Sequence, residues 1–534
     1  MMDNLPLIAG LVVLIATIVI GLWSARKSAT LSDYWVAGRS VGVFTNASAI
    51  SSNYLSAASF LGVAAAVWGS GFDGVWYATG FAAGYILLLF FIASPLRRFG
   101  KYTIPDFCEG RFNSRRLRQV GITCTMVIST LYIIAQMVGV GTVMEAIVPG
   151  MPFELGLAIL GTIITLYVTF GGMTGVTLTQ MLQFWIMITA ILLPLFVLLP
   201  KYGYGEILQH AYQQTEVREE GPTTITGDSA FTETEQERFP TGHSWIAPFG
   251  KYNLFSSISL LVALVCGTAG LPHILARFYT NPDGAKARWS TVWVLVFIGI
   301  FYITTPIWGA YGRMVLGVDA VMYDEAGEPG PNTAMFLISE QAGQWAKALI
   351  AAGGVAAVLS TISGLLIALS SAIAHDLYGE ILKPDASDKS KIIAAKVAVI
   401  ACGVVAILLS MGFRKWGIAW MVGLAFAVAA STLFPLLVSG IWWSKMTEAG
   451  AIAGASLGGI VSTVIVVGRF TDLWAFDQPA LISVPLAFIA IFVVSKMTWK
   501  DQSEDTKSFL NKAFHALHRP DAKAPKTEEE QAAS

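Results

Sequence analysis

The stretch SAISSNYLSAASFLG, Ser48 to Gly62, lies inside an apolar run long enough to cross a bilayer, yet Ser51, Ser52, Asn53, Ser56 and Ser59 crowd its middle. A helix facing lipid has no use for such a cluster. Freed backbone groups are tolerated at membrane depth only where they line a cavity or are buried in protein. A second interruption occurs in CGTAGLPHI, Cys266 to Ile274, where Gly267, Gly270 and Pro272 fall within six residues. Ser and Gly also permit close helix packing without any site, and either stretch alone is open to that reading. Their matched places in the chain favour a site.

Those places emerge from a span count. Apolar runs about 20 residues long recur almost end to end. They fall at approximately 5–23, 43–69, 75–96, 119–147, 153–171, 176–199, 253–276, 289–312, 346–373, 393–412, 417–441, 450–467 and 480–497. The expected fold class is therefore an all-α polytopic membrane protein of about 13 transmembrane helices. The interrupted runs are the second and the seventh. If spans 2 to 6 and 7 to 11 form two five-helix units, approximately 43–199 and 253–441, each opens on a broken helix, as an inverted repeat requires. Residues 1–499 then form the transmembrane domain, and 500–534 a cytoplasmic tail.

Composition agrees, since 55% of the 534 residues are hydrophobic and only 13% charged. No soluble protein needs that much apolar surface. The formal charge of −1 gives no hint of nucleic acid or an acidic partner, and no obligate protein partner is inferred; the implied surroundings are a lipid bilayer. Cys108, Cys124, Cys266 and Cys402 show no metal-ligand spacing and read as packing residues.

The first run carries Asp3 ahead of it and Arg26 and Lys27 behind. That order marks a retained span with the N-terminus periplasmic, in a cytoplasmic (inner) membrane. The same count puts Arg97, Arg98, Lys101, Arg111, Arg115, Arg116, Arg118, Arg277, Lys286, Arg288, Lys383, Lys389 and Lys391 in cytoplasmic loops. The largest outer loop, about Lys201 to Lys251, is acidic and reads as a solvated excursion. In the tail, Leu510, Ala513, Phe514 and Leu517 share one helical face beside Lys512 and Arg519, which suits a helix on the inner leaflet or a disordered tail.

The ninth span, Ala356 to Tyr378, adds a third element. Ala357, Ser360 and Thr361 are related by three and four residues and share one helical face. One carbonyl and two hydroxyls there, opposite carbonyls freed from the broken second span, would form a cage of neutral oxygens suited to a hard monovalent cation. Ser and Thr can instead bond back to their own helix. Ionisable residues are nearly absent from the core, which favours sodium over protons as the coupling ion. His273 is placed either to gate or relay a proton, or to serve as a neutral hydrogen-bonding residue. No nucleophile–base pair, metal cluster or phosphate loop appears, so an enzyme and a cofactor are not expected.

The phrases YLSAASFLG (54–62), SGFDG (70–74), LYIIAQMVGVG (131–141), YVTFGGM (167–173), GTAGLPHILARF (267–278), SAIAHDLY (371–378) and MVGLAFAVAAS (421–431) resemble the sodium/solute symporter family. The likeness runs from about Leu5 to Trp499 and is greatest to the cation/acetate branch. It implies a leucine-transporter-type fold, alternating access, sodium coupling and a short monocarboxylate of the acetate, propionate or pyruvate class as cargo. Carried over by residue, it places the sodium on the carbonyls of Ser52, Leu55 and Ala357 and the hydroxyls of Ser360 and Thr361. Members with a second sodium site have a carboxylate where this chain has Gln180, and Gly364 offers no ligand, although Ser363 could. Acetate permeases have Asp where Asn53 stands and Lys where Gln183 stands. Other solutes, such as an amino acid, a proton-coupled carrier, and a membrane nutrient sensor remain alternatives.

A carboxylate held without a nearby Lys or Arg needs helix N-terminal amides and neutral donors. Gln136, Thr268 and the backbone at Ala269 and Gly270 are expected to supply them, with Asn53 and Ser56 opposite.

One sodium with one monocarboxylate carries no net charge. A second sodium would add about 2.3 kcal/mol per 100 mV, roughly a fiftyfold gain in accumulation. With Gln180 and Gly364 at the second position, acetate transport is expected to give no steady current on solid-supported membranes. A steady inward positive current with a sodium Hill coefficient near two would overturn that expectation.

Overall fold

The computed structural model describes residues 4–25, 30–99, 102–203, 205–207, 248–249, 252–316, 331–470, 473 and 478–518. Among these residues every regular element is helical. The spans are α1 (Leu5–Ala25), the bent pair Val43–Tyr54 and Ala58–Ser70 that makes α2, α3 (Phe72–Phe99) and α4 (Arg115–Ile147). The segment Phe153–Tyr202 supplies α5 and α6. Then follow α7 (Leu254–Thr280), α8 (Gly284–Leu316), α9 (Gln344–Leu382), α10 (Asp388–Phe413), α11 (Ile418–Trp442), α12 (Glu448–Phe470) and α13 (Ala480–Trp499).

Eleven helices pass as membrane spans by length and apolarity, and the bent pair adds a twelfth. Phe153–Tyr202 counts there as one helix, but its contacts require two. Tyr167 donates its hydroxyl to Leu359 O at 2.9 Å, and Gln180 donates Nε2 to Ser360 O at 2.6 Å. Along a continuous helix those residues would stand about 20 Å apart, yet they reach adjacent carbonyls. The chain therefore folds back at Gly172, whose φ of 55° and ψ of −165° are non-helical. The limbs 153–171 and 173–202 are α5 and α6, and the sequence count of thirteen stands.

Both interruptions fall where the sequence places them. In α2 the first half ends at Tyr54, the second begins at Ala58, and the halves are bent by 65°. In α7 the helix Leu254–Thr268 stops, Leu271 is extended, and helix resumes at Pro272. Proline explains this order: it pushes the preceding residue out of the helical region and suits the first position of the next helix. The halves meet across the bundle, where Asn46 Nδ2 donates to Arg277 O at 3.1 Å and Asn53 Nδ2 to His273 O at 3.3 Å. Against them pack α9, whose apolar window is buried throughout, and α11, nearly so, while α1, α10, α12 and α13 expose more of their surface.

The end of the bundle rich in arginine departs from the loop reading. Arg97, Arg111, Arg118 and Arg277 are buried, not solvated. Arg97 donates to Asn281 O and Pro282 O, and Arg111 to Gly440 O and Leu510 O. Guanidinium forks here tie off carbonyls at helix ends. Arg118 bridges Asp106 at 2.8 Å and Asp376 at 2.7 Å, and also meets Glu109. Burial alone would raise the Asp106 carboxyl, but the adjacent His375 imidazole and Arg118 guanidinium hold it well below the usual carboxylate range.

The tail helix α14 (Glu504–His518) buries Leu510, Ala513 and Leu517 against the protein, so the apolar face read as lying on lipid or disordered is a docking face. His518 Nε2 meets Ile441 O at 2.8 Å. Residues 26–29, 101, most of the acidic loop and the tail beyond 518 lie outside the described residues. The four cysteines form no disulfide; Cys108 and Cys124 are buried and Cys266 and Cys402 half-buried.

The turn at Gly172 generates a test. A Cβ there would stand 2.9 Å from the Tyr34 ring, on a backbone that L-residues avoid. Gly172→Ala is expected to destabilise the protein by about 1–3 kcal/mol, read as a lower melting temperature of the detergent-solubilised protein. An unchanged melting temperature would mean the turn is not under that constraint.

Candidate functional site

Where α2 breaks, its backbone must find new partners. The Ser56 N–H, which in a continuous helix would bond Ser52 O, turns to Tyr54 O at 2.8 Å. Ala57 N–H, the helical partner of Asn53 O, donates to Gln136 Oε1 at 2.9 Å. Two carbonyls are thereby freed, and α9 meets both. Ser360 Oγ lies 2.8 Å from Ser52 O and 2.9 Å from Ala357 O, its one proton shared between them, and Thr361 Oγ1 donates to Asn53 O at 3.0 Å. Leu55, at the break, is fully buried, and its carbonyl receives no hydrogen bond among the described residues. The sequence-derived oxygens of Ser52, Ala357, Ser360 and Thr361 thus come together, with Asn53 O as a carbonyl the sequence reading did not include.

The oxygens are neutral, buried and hard, a donor set that suits a monovalent cation and gives no charge for a divalent one. Behind them Gln180 donates Nε2 to Ser360 O and to Ser363 Oγ at 3.2 Å, while its Oε1 accepts from Arg277. A guanidinium therefore stands beside Gln180, on the far side of its carboxamide from Ser360 and Ser363. Gly364 leaves room for Asn53, since a Cβ there would lie 2.1 Å from Asn53 Oδ1. Gln183 donates to Thr17 Oγ1 at 3.2 Å.

On the other side of the break, several buried polar atoms have no hydrogen-bond partner. They are Gln136 Nε2, Asn53 Oδ1 and both ring nitrogens of His273. Contacts place them together: the Tyr132 ring meets His273 edge-on with centroids 5.2 Å apart, Ser56 lies beside the Tyr132 hydroxyl, and Gln136 is one turn further along α4. Buried polar atoms are almost always paired in a folded protein, so such a group points to a polar ligand.

The α7 residues are engaged differently from the sequence expectation. Thr268 Oγ1 donates to Leu264 O at 2.8 Å and lies 2.6 Å from Tyr54 Oη. The Ala269 and Gly270 N–H groups both turn to Gly267 O. These groups frame the turn of α7, and its unpaired atoms come instead from His273.

The sequence reading missed two features. Thr125, Ser129, Tyr132 and Gln136 follow a four, three, four spacing on α4, and the Thr125 and Ser129 hydroxyls are buried without partners. That periodicity was available. The second is Arg277, read as a loop residue but fully buried and donating to Thr177 Oγ1 at 2.7 Å. Its sequence position at a span edge concealed it.

Asp106, His375 and Asp376 place ligand atoms within 4.8 Å of one another. Arg118 already donates to both carboxylates, so the group is an ion-pair network with its own cation.

The description "Sodium:solute symporter family" matches residues 34–458. An uncharacterized symporter, YwcA of Bacillus subtilis (strain 168), is 33% identical over 521 residues, covering 94% of this chain and 96% of its own. Among solved structures, a sodium-coupled sialic acid symporter in a substrate-bound, outward-open state superposes with a TM-score of 0.72 at 17% identity, covering 92% and 98% of the two chains. Mhp1, a nucleobase-cation-symport-1 family transporter closed around bromovinylhydantoin, gives 0.54 at 17% identity, covering 91% and 99%. The fold is thus of the leucine-transporter type, with α2 and α7 as its broken helices.

If the hydroxyls of α9 hold the ion, Ser360→Ala and Thr361→Ala will each weaken sodium activation more than they lower the amount of folded protein. Loss of one ligand at roughly 1.4 kcal/mol raises half-saturating sodium about tenfold. Sodium dependence unchanged in both variants would remove these residues from the site.

Proposed function

Because the chain belongs to the sodium:solute symporter family, we propose that it couples sodium entry to uptake of a short monocarboxylate of the acetate, propionate or pyruvate class, by alternating access across a cytoplasmic membrane. In this reading sodium sits among Ser52, Leu55, Ala357, Ser360 and Thr361. The cargo sits on the other side of the α2 break, against Asn53, Ser56, Gln136 and His273, with Thr268, Ala269 and Gly270 framing it. The arginine-rich end is cytoplasmic, by the positive-inside rule.

The observation that carries the cargo class is the carboxamide of Gln136. Its oxygen caps the second half of α2 at Ala57 N–H, and its Nε2 is left as a buried, unpaired donor. Oriented this way, the side chain holds a buried N–H donor beside a helix N-terminus, where an anion is favoured. No buried carboxylate accompanies it among the residues of this cluster, so a substrate ammonium group has no counter-ion there. Asn53 Oδ1, an unpaired acceptor, favours a second reading in which the solute also carries a donor, as an amino acid does.

Coupling follows from shared backbone. Ser52 and Asn53 offer their carbonyls to the hydroxyls of α9, while the Asn53 and Ser56 side chains belong to the cargo side. Ion binding that fixes the end of the first half of α2 therefore also fixes two cargo contacts. Occupancy of one side raises affinity on the other, and the linkage is reciprocal.

Sodium-stimulated uptake into proteoliposomes tests the cargo, using labelled acetate, propionate and pyruvate against alanine and proline. Uptake of the monocarboxylates is expected, with counterflow that a sensor would lack. Gln136→Ala should raise the substrate requirement about tenfold or more, since a hydrogen bond to a charged group contributes about 1.5–3 kcal/mol, with sodium affinity changed far less. Transport of the amino acids alone would transfer the assignment to the second reading.

A further inference from the structure

On the arginine-rich side of the α2 and α7 breaks, a small cavity is lined by His273 and Arg277 of α7, Gly364 and Ser371 of α9, and Trp35 and Tyr102 from the connecting segments. It has room for roughly one water-sized group. We propose that this cavity is a second binding site, for a small monovalent anion such as a carboxylate headgroup or a halide, with Arg277 as its fixed counter-charge.

Arg277 is fully buried, and among the described residues no Asp or Glu lies within ion-pair distance of it. Its two terminal nitrogens are spent on neutral oxygens, Thr177 Oγ1 and Gln180 Oε1, and its Nε has no partner. Of the other buried arginines at this end, Arg118 is held by carboxylates, Arg97 and Arg111 by backbone carbonyls, and Arg39 lies over the Tyr102 ring. A guanidinium taken from water without a compensating anion is costly, and the cavity it borders is where such an anion can sit.

His273 supplies the second observation. It lies one helical turn before Arg277, lines the same cavity, is buried, and has both ring nitrogens unpaired. A neutral imidazole carries one N–H, so the cavity combines a fixed positive charge with an adjustable donor. Gly364 and Ser371 on α9 keep the opposite wall small. The space cannot take a bulky solute, which restricts the ligand to a compact anion.

His273 also borders the proposed cargo site, so it stands between the two. For a carboxylate cargo, a reading that rests on the proposed function, the cavity is the next station toward the arginine-rich end. For a halide it is a site occupied independently of transport. Both sources share one chemistry.

Melting temperatures of the purified, detergent-solubilised protein decide the matter at fixed sodium and ionic strength, with acetate, chloride or gluconate as the anion. Acetate, chloride or both should stabilise wild type relative to gluconate, which is too large to enter. Stabilisation by acetate alone identifies a carboxylate site, and by chloride as well a general small-anion site. The effect should be lost in Arg277→Gln and retained in part in Arg277→Lys. Should Arg277→Gln fail to fold, Ala368 of α9 also lines the cavity, and Ala368→Val, which fills it and keeps the charge, should abolish the effect. Gln136→Ala should keep the chloride effect in full and lose only the share of the acetate effect that the central site contributes, which separates the two sites. Equal melting temperatures in all three anions, or an anion effect undiminished in both Arg277→Gln and Ala368→Val, would overturn the proposal.

Discussion

The structure depends on how the broken backbone of α2 is satisfied. A helix interrupted at membrane depth leaves carbonyls with no water to receive them, each costing about 1–3 kcal/mol if unpaired. Here the hydroxyls of Ser360 and Thr361 reach Ser52 O and Asn53 O, and the carboxamide of Gln136 takes the N–H of Ala57. Two other spans, α9 and α4, are thereby committed to the break. This explains why α9 is buried all round: it carries the groups that make an unwound segment tolerable.

The same bonds define what the site can bind. Hydroxyls that donate to carbonyls can rotate to present oxygen to a cation, so the cage is satisfied by its own atoms or by an ion. Neutral oxygens would hold a monovalent cation without the electrostatic depth that would trap it. On the other side of the break the unpaired atoms of Gln136, Asn53 and His273 have no such internal partner. The two faces of one break thus differ in kind, one closed on itself and one with its polar atoms unpaired.

Charge is distributed to match. Arg97, Arg111 and Arg118 fasten helix ends and short helices at one end of the bundle, and α14 is fastened there by the bond from Arg111 to Leu510 O. Arg277 stands deeper, against Gln180 and Thr177. The Gln180 carboxamide and the Thr177 hydroxyl give that guanidinium dipoles in place of a counter-ion, so the local field there is positive.

The sequence by itself determined the membrane class, the places of both interruptions and the face of α9 that meets them, because hydropathy and helical spacing are local properties of the chain. Thus Ser48–Gly62 and Cys266–Ile274 announced their breaks, and Ala357, Ser360 and Thr361 their shared face. The two-limb nature of 153–202 was also legible in hydropathy. Partner choice was not. That Thr361 reaches Asn53 O, that Thr268 is held by Tyr54, that the Ala269 and Gly270 amides turn on Gly267 O, and that Arg277 lies in the core all depend on how distant helices are rotated and offset against one another. The periodicity of one helix fixes which residues share a face. Only the packed bundle decides which atom of another helix that face meets.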